Sequence, residues 1–190
     1  MPTAKPHPTR RSERPLAIVA GGASEAGRAI SRQLAGEGFD FLFGAGDLSS
    51  LPAGELESLG SKVRHLPVDL ADEEQVLSLY RAAEEEGRFV DALVLDVVPA
   101  ESDDHEEDDE AALGLLRATI VAPLLLARLA LPPMAERGRG QVFFTSPERS
   151  GLGGLAALYG ASLAFLRSFA DALAGDLAGC GVHVTAHLPG

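Results

Sequence analysis

The sequence predicts an α/β fold, a single parallel sheet of about six strands, doubly wound, with helices on both faces. Three observations carry this. The run Leu16 to Ala20 is continuously apolar, meets glycines and opens into an amphipathic segment, as a buried parallel strand does where it hands over to a helix. Short apolar runs then alternate with segments of helical period along the whole chain. Finally, the 190 residues hold no internal repeat and no linker suggesting a second domain.

The elements follow in order. Ala26, Ala29, Ile30 and Leu34 recur at helical spacing opposite Arg28, Ser31, Arg32 and Glu37, with Gly36 and Gly38 to end the helix. Phe39 to Phe43 reads as a second strand, Leu48 to Leu59 as a turn and short helix, and Val63 to Val68 as a third strand. A helix is expected from Asp72 to Glu86. The fourth strand, Ala92 to Val98, is apolar apart from Asp96. Ala111 to Ala135 reads as a long Leu- and Ala-rich helix, kinked by Pro123 and ended by Pro132 and Pro133. A fifth strand is expected at Gln141 to Phe144, a helix from Leu155 to Leu177 and a sixth strand at His183 to Ala186. Crossovers between parallel strands are right-handed, which puts helices on both faces.

Composition narrows the function classes. The formal charge is −12, and a body so acidic repels nucleic acid and anionic membranes, so neither is expected as a partner. Residues 1–15 run the other way, with Lys5, Arg10, Arg11 and Arg14 against Glu13, and with Pro2, Pro6, Pro8 and Pro15 they read as a disordered basic leader before a folded domain over 16–190. Arg10-Arg11 suggests a twin-arginine signal, but the apolar stretch after it is better explained as the first strand. No apolar run approaches the roughly 18 residues of a membrane helix. Cys180 is the single cysteine, which rules out an internal disulfide and suits a cytoplasmic location. No His or Cys cluster has zinc spacing, so no metal is expected. Residues 101–110 are acidic except for Ser102 and His105, and they read as a solvated loop running into the next helix, whose N-terminal dipole tolerates the last acids.

Several motifs fall in order on these elements. Ala20-Gly21-Gly22-Ala23-Ser24-Glu25-Ala26-Gly27 forms the first turn, and Val68-Asp69-Leu70 ends the third strand. Ser146 and Tyr159 stand thirteen apart, with Tyr159-Gly160-Ala161-Ser162 around the tyrosine, and Pro189-Gly190 follows the sixth strand. In these residues the chain resembles the short-chain dehydrogenase/reductase family across nearly all of 16–190. The resemblance implies a Rossmann-like domain and a cofactor, NAD or NADP. It implies cofactor contacts at Gly21, Ser24, Gly27, Asp69 and Leu70, and a catalytic pair at Ser146 and Tyr159. The segments 111–135 and 155–177 match the helices through which the family associates, implying a homo-oligomer or a hetero-oligomer with a relative.

The departures fall on the chemistry. The family's lysine four residues after the tyrosine is Leu163 here, and its helix asparagine aligns with Thr119. A phenol at its ordinary pKa of about 10 is a poor base at neutral pH. Leu95-Asp96-Val97-Val98 replaces Asn-Asn-Ala-Gly, and Ala45-Gly46 stands where an acid or arginine would choose between NAD and NADP. Glu25 replaces the glycine that lets the backbone approach the pyrophosphate. At roughly 5 Å and an effective dielectric near 20, its repulsion of a phosphate would be about 3 kcal/mol, about a hundredfold in affinity. The family also continues into a substrate lid and a seventh strand, so the resemblance is to a truncated, degenerate member. The expected function is a non-catalytic binding or partner subunit with impaired hydride transfer and at most weak dinucleotide binding. The rival expectation is an enzyme, either an NAD(P)-dependent oxidoreductase or a non-redox catalyst using Tyr159 and Ser146.

Overall fold

A computed structural model describes residues 14–97, 109–147 and 153–189. Six parallel strands form one sheet in the order β3-β2-β1-β4-β5-β6. In chain order the elements are β1 (Leu16–Ala20), α1 (Glu25–Gly36), β2 (Asp40–Ala45), α2 (Ala53–Ser58), β3 (Val63–Pro67), α3 (Glu73–Glu85) and β4 (Val90–Asp96). They continue with α4 (Asp109–Leu116), a π turn (Arg117–Val121), α5 (Ala122–Arg137), β5 (Gly140–Thr145), α6 (Ala156–Asp176) and β6 (Val182–His187). The strand order reverses between β1 and β4, which is where this architecture opens a crevice at the carboxyl ends of its strands.

The period of two along β1 divides the core. Leu16, Ile18 and Ala20 enter one apolar cluster, with Leu79 of α3, Leu126 and Met134 of α5, and Leu166 of α6. Ala17 and Val19 enter the other, with Leu34 of α1, Phe41 and Phe43 of β2, and Leu56 of α2. Every β1 residue is buried, so the strand reads as an unbroken apolar run rather than an alternating one. Each fully buried leucine contributes about 2 kcal/mol.

Caps set several boundaries. Ser24 Oγ accepts from Gly27 N at 2.9 Å and starts α1. Asp72 starts α3 by accepting from Glu74 N at 2.9 Å and Gln75 N at 3.1 Å. The bonds from Gln75 hold the Asp72 carboxyl below the usual carboxylate range, against a smaller opposing effect of desolvation. Because its folded pKa is depressed, its stabilising contribution is present above the unfolded value of about 3.9 and lost as pH falls through the folded value. Asp72→Asn keeps an acceptor without the charge. We expect its Tm deficit, followed by circular dichroism against pH, to persist above about pH 4 and to shrink below it.

Three expectations from the sequence need correction. Arg14 is not part of a free leader. Its Nε donates to Gly38 O at 2.8 Å, its Nη1 to Gly60 O at 2.7 Å, and it pairs with buried Asp40. The rest of the expected leader, residues 1–13, and residues 101–108 of the acidic stretch lie outside the described residues, while Asp109 and Glu110 occupy the first turn of α4. Pro123 follows a π turn, whose wider spacing relieves the clash of a proline ring with the carbonyl four residues back, that of Thr119. Pro132 and Pro133 do not end α5, which runs to Arg137 and stops at Gly138 with φ +66°. Both Pro132 and Arg128 are exposed, so the carbonyl that the ring leaves without an N–H meets solvent. Finally, the helical run Asp109–Arg137 is long enough to cross a membrane by length and composition, with an 18-residue stretch of mean hydropathy 1.7 that is 33% buried. Here it lies along the sheet, with Leu126, Ala127, Ala130 and Met134 buried in the first cluster.

Candidate functional site

The turn after β1 is built against the end of β4. Gly21 and Gly22 take φ of +84° and +97°, which swings the chain back over the sheet, and Gly21 N donates to Gly44 O at 2.8 Å. Beneath the turn lies Asp96, 1% exposed. Its Oδ2 accepts from Gly22 N and Ser24 N, each at 3.0 Å, and its Oδ1 from Ser24 Oγ at 2.5 Å. Gly27 must lack a side chain, because a Cβ there would sit 2.5 Å from Asp96 Oδ2. Burial raises the Asp96 pKa, and the bonds from Ser24 and Gly22 oppose that rise. Glu25 is exposed in the first turn of α1. In the sequence Asp96 shows itself as the one polar residue of an apolar strand and as part of the Leu95-Asp96-Val97-Val98 departure, but not as the acceptor beneath the turn.

Ser146 and Tyr159 come together as the spacing predicts. Ser146 follows β5, Tyr159 lies in the first turn of α6, both are 4% exposed, and their hydroxyls touch. Ser146 Oγ also reaches Val97 O at 2.8 Å, and Tyr159 OH reaches Pro147 O at 3.1 Å. Ser146 Oγ donates to Val97 O and the phenol to Pro147 O, while either hydroxyl can be the donor where the two meet. Leu163, four residues on, is buried with Tyr159 and Leu115 in a small apolar cluster. Thr119 is fully buried inside the π turn and donates its hydroxyl to Leu115 O at 2.7 Å.

The remaining expected contacts are spread along the strand ends. Asp69 is exposed, and its Oδ1 accepts from Ala71 N at 2.8 Å, which shapes the turn into α3. Leu70 is half-buried beside a void of about 10 Å³ that Ala20, Leu95, Val97 and Pro123 also line. A larger cleft, about 710 Å³, opens between the start of α1 (Ser24, Glu25, Ala26, Ala29), Ser146 and Pro147, and His187 to Pro189 after β6. His187 was not picked out from the sequence, where nothing but its place before Pro189 marks it. Among the described residues no group of three His, Cys, Asp or Glu side chains could hold a metal ion.

The pyrophosphate of a dinucleotide fits this turn poorly. One carboxylate is buried beneath the start of α1 and a second is exposed on its first turn, so the positive end of the helix faces two acids. The cleft beside Ser146 is of ordinary small-molecule size and is lined by the Ser146 hydroxyl, the His187 imidazole, the Glu25 carboxylate and apolar residues.

The short chain dehydrogenase family model matches residues 15–190. An uncharacterised short-chain type dehydrogenase/reductase of Sinorhizobium fredii is 34% identical over 195 residues, spanning 97% of this chain and 71% of the relative. An uncharacterised oxidoreductase of Myxococcus xanthus is 31% identical, over 92% of this chain and 70% of its own. Among solved structures, a metagenomic short-chain oxidoreductase in complex with NADP superposes with a TM-score of 0.76 at 23% identity, covering 93% of this chain and 82% of that one. That last likeness concerns the fold. With the strand order β3-β2-β1-β4-β5-β6, these matches show that the chain belongs to the short-chain dehydrogenase/reductase family of oxidoreductases.

Proposed function

We propose that this protein keeps the family's fold but serves as a binding or partner subunit, with impaired hydride transfer and weak affinity for NAD(P). One observation carries the reading. The Tyr159 phenol is buried against the Ser146 hydroxyl and packs on Leu163, where the family's lysine would lower the phenol pKa. To protonate a substrate oxygen it would act with an apolar leucine at position 163 and no ammonium there. Pairing through α4 to α6, with itself or with a relative, is supported by Leu113 and Phe165, large apolar side chains 45% and 39% exposed on α4 and α6.

The enzymatic reading is favoured by one feature, the cleft of about 710 Å³ that Ser146 lines together with His187. NADP in the metagenomic neighbour points the same way. The two readings part on turnover and on Tyr159→Phe. We expect the purified protein to oxidise neither NADH nor NADPH above blank with a panel of aldehydes and ketones. Tyr159→Phe is expected to keep the wild-type sedimentation behaviour and to lose about 1 kcal/mol of stability with the hydroxyl contact. Turnover that Tyr159→Phe abolishes would overturn the proposal.

A further inference from the structure

We infer that Asp96 is the residue that sets this fold's glycine turn against phosphate-bearing ligands, a specificity-determining role exercised from beneath the turn. The inference rests on the reading of weak NAD(P) affinity and supplies its cause. Three donors converge on the Asp96 carboxylate: Gly22 N, Ser24 N and Ser24 Oγ. Two of them are backbone N–H groups, which have no lone pair to take a carboxyl proton, so these bonds favour the ionised form while burial opposes it. The side chain is 1% exposed, so water and salt screen it little.

The hydrogen bonds alone do not call for an acid. Both backbone donors meet the same oxygen, Oδ2, which an amide oxygen could replace. The other oxygen faces Ser24 Oγ, which can accept from an amide N–H as readily as it donates to a carboxylate. Asparagine would therefore fill the position with its contacts kept, and what aspartate adds is a charge. That charge lies under the N-terminus of α1, whose partial positive charge is what draws a phosphate to such a turn. The helix end is thus answered from inside the protein. Glu25, exposed in the first turn, acts in the same sense from outside, but solvent screens it.

The test titrates NADH and NADPH, by nicotinamide fluorescence and calorimetry, into wild type, Asp96→Asn, Glu25→Gly and the double variant. Asp96→Asn is expected to bind at least about tenfold more tightly than wild type, a gain of about 1.4 kcal/mol. Raising the salt concentration should leave the relative gain at Asp96 nearly intact and erase most of any gain at Glu25. Asp96→Ser, smaller and also neutral, takes the place of Asp96→Asn should that variant not fold. A folded neutral variant that binds no better than wild type overturns the inference, as does micromolar binding by wild type. The two proposals fail separately. Micromolar binding without turnover leaves the impaired-catalysis reading standing and removes this one, whereas turnover by wild type together with a tenfold gain in Asp96→Asn does the reverse.

Discussion

Asp96→Ala is expected to cost about 3 kcal/mol of folding stability, seen in urea as a lower transition midpoint with an unchanged slope. The figure follows from the donors it strands. Gly22 N, Ser24 N and Ser24 Oγ all end on this carboxylate, and a buried donor deprived of its acceptor costs about 1–3 kcal/mol. Water entering the space left by the side chain recovers part of that sum. Asp96→Asn retains acceptors for both backbone groups and should stay within about 1.5 kcal/mol of wild type. The charge itself gives the comparison a pH signature. Burial raises the folded pKa of Asp96 above its unfolded value, so its contribution to stability is most favourable at acid pH and declines as pH rises through the folded value. The stability of wild type relative to Asp96→Asn should therefore be greatest at acid pH and fall towards neutrality. An alanine variant as stable as wild type would show that the three donors find other partners, and the buried carboxylate would lose its structural role.

The parts of this fold legible in the sequence are those governed by neighbours in the chain. The apolar runs at Leu16–Ala20 and Ala92–Leu95 show their burial on both faces directly. Ser146 and Tyr159 are picked out by the family resemblance, and the structure places one hydroxyl just beyond β5 and the other in the first turn of α6. What escaped depends on residues far apart. Asp96 meets donors 72 and 74 positions earlier, so the strand containing it shows a polar residue without showing its partners. Arg14 likewise joins Gly38 and Gly60, although the residues around it have leader-like composition. Pro123 shows itself as a disturbance of the helix, but composition does not show the π turn that precedes it and contains the buried Thr119.

Gly21→Ala is expected to destabilise the protein by about 4 kcal/mol or more, while Gly46→Ala serves as a control within about 0.5 kcal/mol of wild type. At φ +84° an L residue costs about 1–2 kcal/mol against glycine. The new methyl would also stand 2.2 Å from the Asp96 carbonyl oxygen, a backbone atom at the end of β4. β1 and β4 are paired along their length, Ala20 opposite Leu95, so that oxygen cannot retreat without opening the centre of the sheet. Gly46 has no left-handed φ, and a Cβ there meets nothing within 4 Å. Urea denaturation of the two variants, with no nucleotide added, separates two reasons for a glycine in this turn. A loss confined to Gly21 would show that the residue is required by the packing of β1 against β4. The glycine turn would then be maintained by the fold itself, whether or not a dinucleotide ever reaches it. Such a requirement explains how the turn can keep its shape while Asp96 and Glu25 set its charge against a pyrophosphate.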